Sequence, residues 1–299
     1  MTTATDTQKT STPQVMDKWR RRGLQVFLAV TAFVWLIPLL WAVYTSLRPY
    51  SATAEYGYVS IGGEYNFDNF FQAWRDTEML GYFINTMWIT IPAVILILFL
   101  ASMAAFSLSR FSFRFNLALL MLFTAGNLLP QQVIITPLYR MFLVLPLPDF
   151  LSPSGLFYDS YFGIIAIHVA FQMGFATFVL SNYMKALPGD LNEAAFVDGA
   201  GAWRQYWSII LPLTRPTLAA LAVLMFTWIY NDFFWALVLM VTGNQRPITS
   251  ALQNLEGAFF TNNNLVAAGS LLAAIPTLVV FAVLQRQFVA GLTLGSTKG

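Results

Sequence analysis

No Asp, Glu, Lys or Arg occurs between Arg22 and Arg48, Glu78 and Arg110, Arg114 and Arg140, Asp159 and Lys185, or Glu256 and Arg286. A sixth interval, from Arg215 to Arg246, is broken only by Asp232. A helix needs about 20 apolar residues to cross the hydrocarbon core of a bilayer, and each interval is longer than that. In lipid the backbone must satisfy its own polar groups, so such runs resolve as helices. The spacing predicts spans over 24–46, 83–108, 117–140, 161–184, 214–241 and 267–287. The expected fold is all-α: a polytopic membrane protein with six transmembrane helices. The chain is 57% hydrophobic and only 10% charged. A soluble fold of that composition would be left with a largely apolar surface, whereas a bilayer solvates it.

Arg20, Arg21 and Arg22 ahead of an apolar run resemble the start of a signal peptide. The run is longer than the roughly 7–15 residues of a signal core, and no small-x-small site follows it cleanly, so a retained anchor is expected. Six crossings put both termini on one side. With that side cytoplasmic, the inner segments hold 12 of the 16 Lys and Arg residues, and the outer ones hold Arg48, Arg75, Arg140 and Arg246. The positive-inside rule therefore predicts cytoplasmic N- and C-termini. The net charge of +2 gives no argument for nucleic acid, and the absence of cysteine excludes disulfides and thiol chemistry.

One inner segment, 187–213, is too long and too patterned for a plain connection. Pro188, Gly189 and Asp190 read as a helix start with Asp190 as N-cap. Glu193 is placed to reach back to the free amides of the first turn. Ala194 and Ala195 give a small, flat face, and Gly199 and Gly201 then break or turn the chain. A second short helix, Ala202 to Ile210, carries Trp203, Tyr206 and Trp207, and Pro212 opens the next span. The expectation is a cytoplasmic helix-turn-helix. Its flat face suits close approach by another protein, though an ordinary inter-span connection fits the same physics.

Glu193, Ala194, Ala195, Gly199, Ile209, Leu211 and Pro212 match, without a gap, the EAA signature of ABC importer permeases: E-A-A, three residues, G, nine residues, I, one residue, L-P. Asp198 and Ala200 extend it to the D-G-A form common in sugar importers. At the C-terminus, Gln285, Phe288, Gly291, Leu292, Thr293, Gly295, Lys298 and Gly299 resemble the tail of the second permease subunit of maltose-type importers. Asn85-Thr86, Pro130, Pro137 and the segment Trp228 to Phe233 are weaker matches. In the last of these, Ile229 and Tyr230 separate Trp228 from Asn231, which the family usually has adjacent.

The chain thus resembles a permease subunit of maltose-type carbohydrate ABC importers. The resemblance implies the type I importer fold in the plasma (inner) membrane of a prokaryote. It divides the chain into a basic N-terminal tail (1–22), a first helix with an extracytoplasmic loop (23–78), a five-helix core holding the EAA loop (79–288) and a cytoplasmic tail (289–299). It implies a second, different permease, two ATP-binding subunits and an extracytoplasmic sugar-binding protein as partners, besides membrane lipid. ATP and Mg would be bound by the partner subunits and no cofactor by this chain. None of its lysines, Lys9, Lys18, Lys185 and Lys298, follows a glycine, so no Walker A loop is present. The EAA loop, with Glu193 first and Gly201 in its turn, would couple to the ATPase; Gly291, Gly295 and Lys298 would reach toward it.

Asp232 is the one carboxylate inside an expected span, where it costs about 3 kcal/mol on insertion scales. With Trp228, Asn231 and Trp235 beside it, it reads either as a sugar contact or as a polar contact between helices. Asn85, Asn127, Gln131, Gln132 and Gln172 either line a hydrophilic path or bridge helices. His168, alone in its span, reads as a packing hydrogen bond rather than a proton relay. No metal-ligand spacing and no Ser/His/Asp set is present, which argues against a membrane enzyme. A self-sufficient secondary transporter or channel, or an ABC permease for a non-sugar solute, are the competing readings. The lack of repeats and of paired ionisable groups counts against the first; the D-G-A form and the tail count against the second.

Overall fold

The computed structural model describes residues 18–126, 130–255 and 261–293. Its helices are α1 (Lys18–Leu47), α2 (Tyr50–Tyr56), α3 (Asp68–Asp76), α4 (Met79–Arg110), α5 (Asn116–Gly126), α6 (Ile135–Phe142), α7 (Tyr161–Ala186), α8 (Asp190–Val197), α9 (Ala202–Gln205), α10 (Leu211–Leu213), α11 (Arg215–Tyr230), α12 (Phe234–Leu239), α13 (Ile248–Ala251) and α14 (Asn263–Thr293). Among the described residues the only β pairing is one isolated bridge, Pro146 to Leu156. Among the described residues four helices, α1, α4, α7 and α14, are long and apolar enough to cross a bilayer; the number reaches 6 if each of two bent pairs, Asn116–Gly126 with Gln131–Phe142 and Ala202–Leu213 with Arg215–Tyr230, makes one span.

Two expected spans are not continuous helices. The segment expected as 117–140 is divided between α5 and a 3₁₀ turn, Gln131–Ile134, that leads into α6. Pro130, which has no amide to donate, precedes that turn in an extended conformation. The segment expected as 214–241 is divided at Asn231–Phe233, between α11 and α12. At the C-terminal end, helix persists through Thr293, so the first residues of the expected tail continue α14.

The bundle is built around α4 and α7. Ile89, Ala93, Ile97, Ala101 and Ala105 recur every fourth residue of α4 and are buried, which places them on one face. Gly174, Ala176, Thr177, Leu180 and Ser181 are buried on α7. Small side chains let the two backbones approach closely, the usual means of gaining packing energy where lipid removes the hydrophobic driving force. α11 packs on α14, and α1 also leans on α14. α1 otherwise turns Leu28, Phe33, Trp35 and Leu39 outward, as expected of a helix solvated by acyl chains.

At one end of the bundle α1 is tied down by polar contacts. Arg48 is buried, and its guanidinium donates to the carbonyls of Gly57 (3.3 Å), Ser60 (3.0 Å) and Ala52 (3.2 Å). Asn69 donates to the carbonyls of Ser46 and Arg48, both at 2.8 Å, and Asn264 donates to that of Thr45 at 2.9 Å. These bonds join α1, α3 and α14 at the point where the chain leaves the apolar run.

Candidate functional site

The 187–213 segment forms the expected helix-turn-helix, with a different start. The N-cap position of α8 belongs to Gly189, which already has helical dihedrals (φ −64°, ψ −33°) and provides no side-chain cap. Asp190 therefore sits inside the first turn with Glu193. There both carboxylates face the positive end of the helix without bonding to its amides. No hydrogen bond engages the Glu193 side chain among the described residues, so the reach-back expected of it is absent; the side chain is exposed.

α8 ends in a Schellman turn: Ala200 N–H donates to Ala195 O at 2.9 Å and Gly199 N–H to Phe196 O at 3.0 Å. Gly199 takes φ +73°, the left-handed conformation that glycine adopts without cost. Gly201 has φ −64° and needs no such freedom. Ala195 is buried beneath α8, whereas Phe196 and Val197 are 78% and 84% exposed. Two large apolar side chains are thus presented on a short helix whose small residue sits against the body of the protein.

The second helix is anchored to α4. Tyr206 is buried and its hydroxyl lies 2.7 Å from Ser102 Oγ. Ser102 donates its own proton to Phe99 O at 2.8 Å, so the tyrosine is the donor. Trp203 and Trp207 pack about the Tyr206 ring at 5.9 and 5.1 Å, and Phe106 lies 5.4 Å from it. The aromatics of this helix therefore split: Tyr206 goes into the bundle while Trp203 and Trp207 stay exposed. Helix continues past Ile209 and Leu211 through a wide π-type turn, Tyr206–Ile210, into α10. Pro212 lies inside this arm. The chain then bends by 72° into α11 at Thr214, so it is Pro216 that opens the span.

Glu193 also lines a cavity of about 340 Å³ with Asn192, Phe196, Val197 and Gln205, closed on the far side by Arg110 and Phe111 from the end of α4. The Arg110 Nε and Nη2 atoms have no hydrogen-bond partner among the described residues. Arg110 and Glu193 are 83 positions apart, so no local signal in the sequence could have joined them.

A second cavity, of about 670 Å³, is lined by Gln131, His168, Phe171, Gln172, Phe175, Trp228 and the run Asn231 to Trp235. It brings together three of the residues expected on a solute path: Trp228, Asn231 and Asp232. Asp232 stands at the break after α11 and accepts from Trp235 N–H at 3.2 Å, which fixes the first turn of α12. Its own carbonyl accepts from the Thr249 hydroxyl at 2.6 Å. His168 Nε2 lies 3.7 Å from its Oδ2. The sequence predicts a packing contact for His168, and its carboxylate neighbour comes from the end of α11, 64 positions away. Ring pairs, Phe171–Trp235 at 5.5 Å and Phe175–Trp228 at 5.4 Å, make the apolar walls.

Asn85 is elsewhere. Its amide donates to the carbonyls of Asn244 (2.7 Å) and Arg246 (3.0 Å) and accepts from the Tyr161 hydroxyl (2.7 Å). Beside it, Asp159 accepts from Val241 N–H, Thr242 N–H and the Thr242 hydroxyl. Asn85 is thus a bridge joining α4, α7 and the α12–α13 connection, with no place in the cavity. Asn127, Gly295 and Lys298 lie outside the described residues, and Gly291 is in the final turn of α14.

The described residues thus form a helical membrane bundle, a short helix α8 that exposes Phe196 and Val197 on an arm anchored to α4, and an aromatic-walled polar cavity. Residues 82–293 match the family "Binding-protein-dependent transport system inner membrane component", and the chain belongs to that family. It is 31% identical over 287 residues to the "Osmoprotective compounds uptake permease protein GgtD" of Synechocystis, covering 94% of this chain and 93% of that one. It is 30% identical over 280 residues to the "Melibiose/raffinose/stachyose import permease protein MelC" of Bacillus subtilis, covering 93% and 97%. Its fold is similar (TM-score 0.74, 22% identity, covering 93% of this chain and 100% of the other) to a chain of a solved bacterial ABC transporter that imports the acidic polysaccharide alginate.

Proposed function

We propose that this chain is one of two different permease subunits of an ATP-driven importer for a sugar or oligosaccharide. It would work with two ATP-binding subunits, which hold ATP and Mg, and with an extracytoplasmic sugar-binding protein. The sugar reading is supported by the D-G-A form of the EAA loop and by the carbohydrates for which the relative MelC is named. With the α8 end cytoplasmic, Phe196 and Val197 are presented to the ATPase. The observation that carries the coupling role is the anchoring of the α8–α10 arm. Tyr206 is locked to Ser102, so a displacement imposed on α8 is delivered to α4, the helix on which the bundle is built. Closure of the ATPase dimer would then rock the bundle as a body. Glu193, Ala194, Asp198 and Gly199 would form the docking element, with Ala195 seating α8 on the bundle, and Gly291, Gly295 and Lys298 would approach the ATPase from the C-terminus. Trp228, Asn231 and Asp232 would form this chain's wall of the solute path.

The test is ATP-dependent uptake in proteoliposomes holding the assembled importer and its binding protein, with radiolabelled oligosaccharides as solutes. The reading predicts uptake that needs ATP and the binding protein, with Glu193→Lys abolishing uptake. ATP-independent uptake driven by an ion gradient would overturn it.

A further inference from the structure

We infer that the 670 Å³ cavity between α7, α11 and α12 is a subsite for an uncharged, hydroxyl-rich solute, and that Asp232 makes it reject acidic sugars. This rests on the solute-path reading above and specifies its chemistry.

Three observations carry it. First, the wall is mixed in the way a sugar ring requires. Phe171, Phe175, Trp228 and Trp235 offer ring faces for C–H surface, while Gln131, Gln172, Asn231 and Asp232 offer hydrogen-bonding groups. Second, Gln172 lines the cavity and its Oε1 is unbonded among the described residues. Turned toward the cavity, that oxygen would accept from a sugar hydroxyl. Third, the lining contains a carboxylate, Asp232, and no Lys or Arg. Asp232 is held in place by Trp235 N–H and, through its carbonyl, by Thr249, so it does not swing away from an approaching anion. His168, the remaining titratable group of the lining, stands against Asp232 at 3.7 Å.

The absence of cysteine gives a direct test. Asn231 is exposed and lines the cavity, so Asn231→Cys in the assembled importer, in nanodiscs with a cysteine-free partner permease, places one thiol there. Its labelling rate is compared for a cationic trimethylammonium and an anionic sulfonate methanethiosulfonate. It is then measured again with raffinose or a linear oligouronate present. We expect the cationic-to-anionic rate ratio, divided by the same ratio for a small free thiol in solution, to be about fivefold or more, the effect of one unit charge nearby in a partly aqueous site. Asp232→Asn should bring that normalised ratio to one, and raffinose should slow labelling while the oligouronate does not. A normalised ratio of one in the presence of Asp232, or protection by the oligouronate, would overturn the subsite's chemistry while leaving the path intact. A thiol that no solute protects, at Asn231→Cys and equally at Phe233→Cys, would remove the path reading itself and this inference with it.

Discussion

His168 Nε2 stands 3.7 Å from Asp232 Oδ2, joining α7 to the point where the α11 helix breaks. The carboxylate is the single acid of its interval, and its contacts explain why it is tolerated in a span. Trp235 N–H and the imidazole face it, so its charge is not left bare in the hydrocarbon. Asp232→Asn keeps the shape and removes the charge. It should raise the apparent KM for uptake by roughly tenfold, the worth of a hydrogen bond to a charged group. Basal ATPase activity should be unchanged. Kinetics of solute-stimulated uptake in proteoliposomes check this.

Gly199 and Gly201 should respond differently to the same change. Gly199→Ala forces a side chain into φ +73°, a cost of about 1–2 kcal/mol that falls on the α8 turn. Gly201→Ala faces open space at φ −64° and should be silent. ATPase retention during purification of each variant reads the difference.

Tyr206→Phe removes the bond to Ser102 but leaves the Ser102 hydroxyl bonded to Phe99 O, a loss of about 1 kcal/mol. Uptake should be only modestly reduced. Tyr206→Ala also removes the ring around which Trp203, Trp207 and Phe106 pack. It should leave ATP hydrolysis running with little uptake, a ratio that simultaneous assays of both would expose.

Asn85→Ala tests whether that residue belongs to the structure or to the solute path. It deletes three hydrogen bonds, and the assembled complex should lose stability by about 2–3 kcal/mol. Thermal unfolding in nanodiscs should show a lowered Tm with solute preference unaltered.

The four long helices α1, α4, α7 and α14 were legible because charge is so costly in lipid that its absence marks them. The EAA loop was legible because of the fixed spacing of Glu193, Gly199 and Pro212. Pro130 marked the break after α5, but the break after α11 had no such mark. Asn231–Phe233 contains neither Pro nor Gly, and the helix is interrupted where Asp232 caps the next turn, a tertiary choice no window reveals. The meeting of His168 with Asp232, and of Arg110 with Glu193 across one cavity, depends on helix packing between residues distant in sequence. Asn85 was open to two readings because an amide serves a solute and a helix bridge equally well.

The central claim is that α8 holds the ATPase. The measurement is purification of the tagged chain from its native membranes in mild detergent, with mass spectrometry of the complex, for the wild-type protein and for Glu193→Lys. The account predicts a second permease and Walker A-bearing ATP-binding subunits with the wild type. With Glu193→Lys, it predicts that the permease is retained and the ATPase lost. A wild-type chain that purifies alone, under conditions that keep a known importer intact, would contradict it.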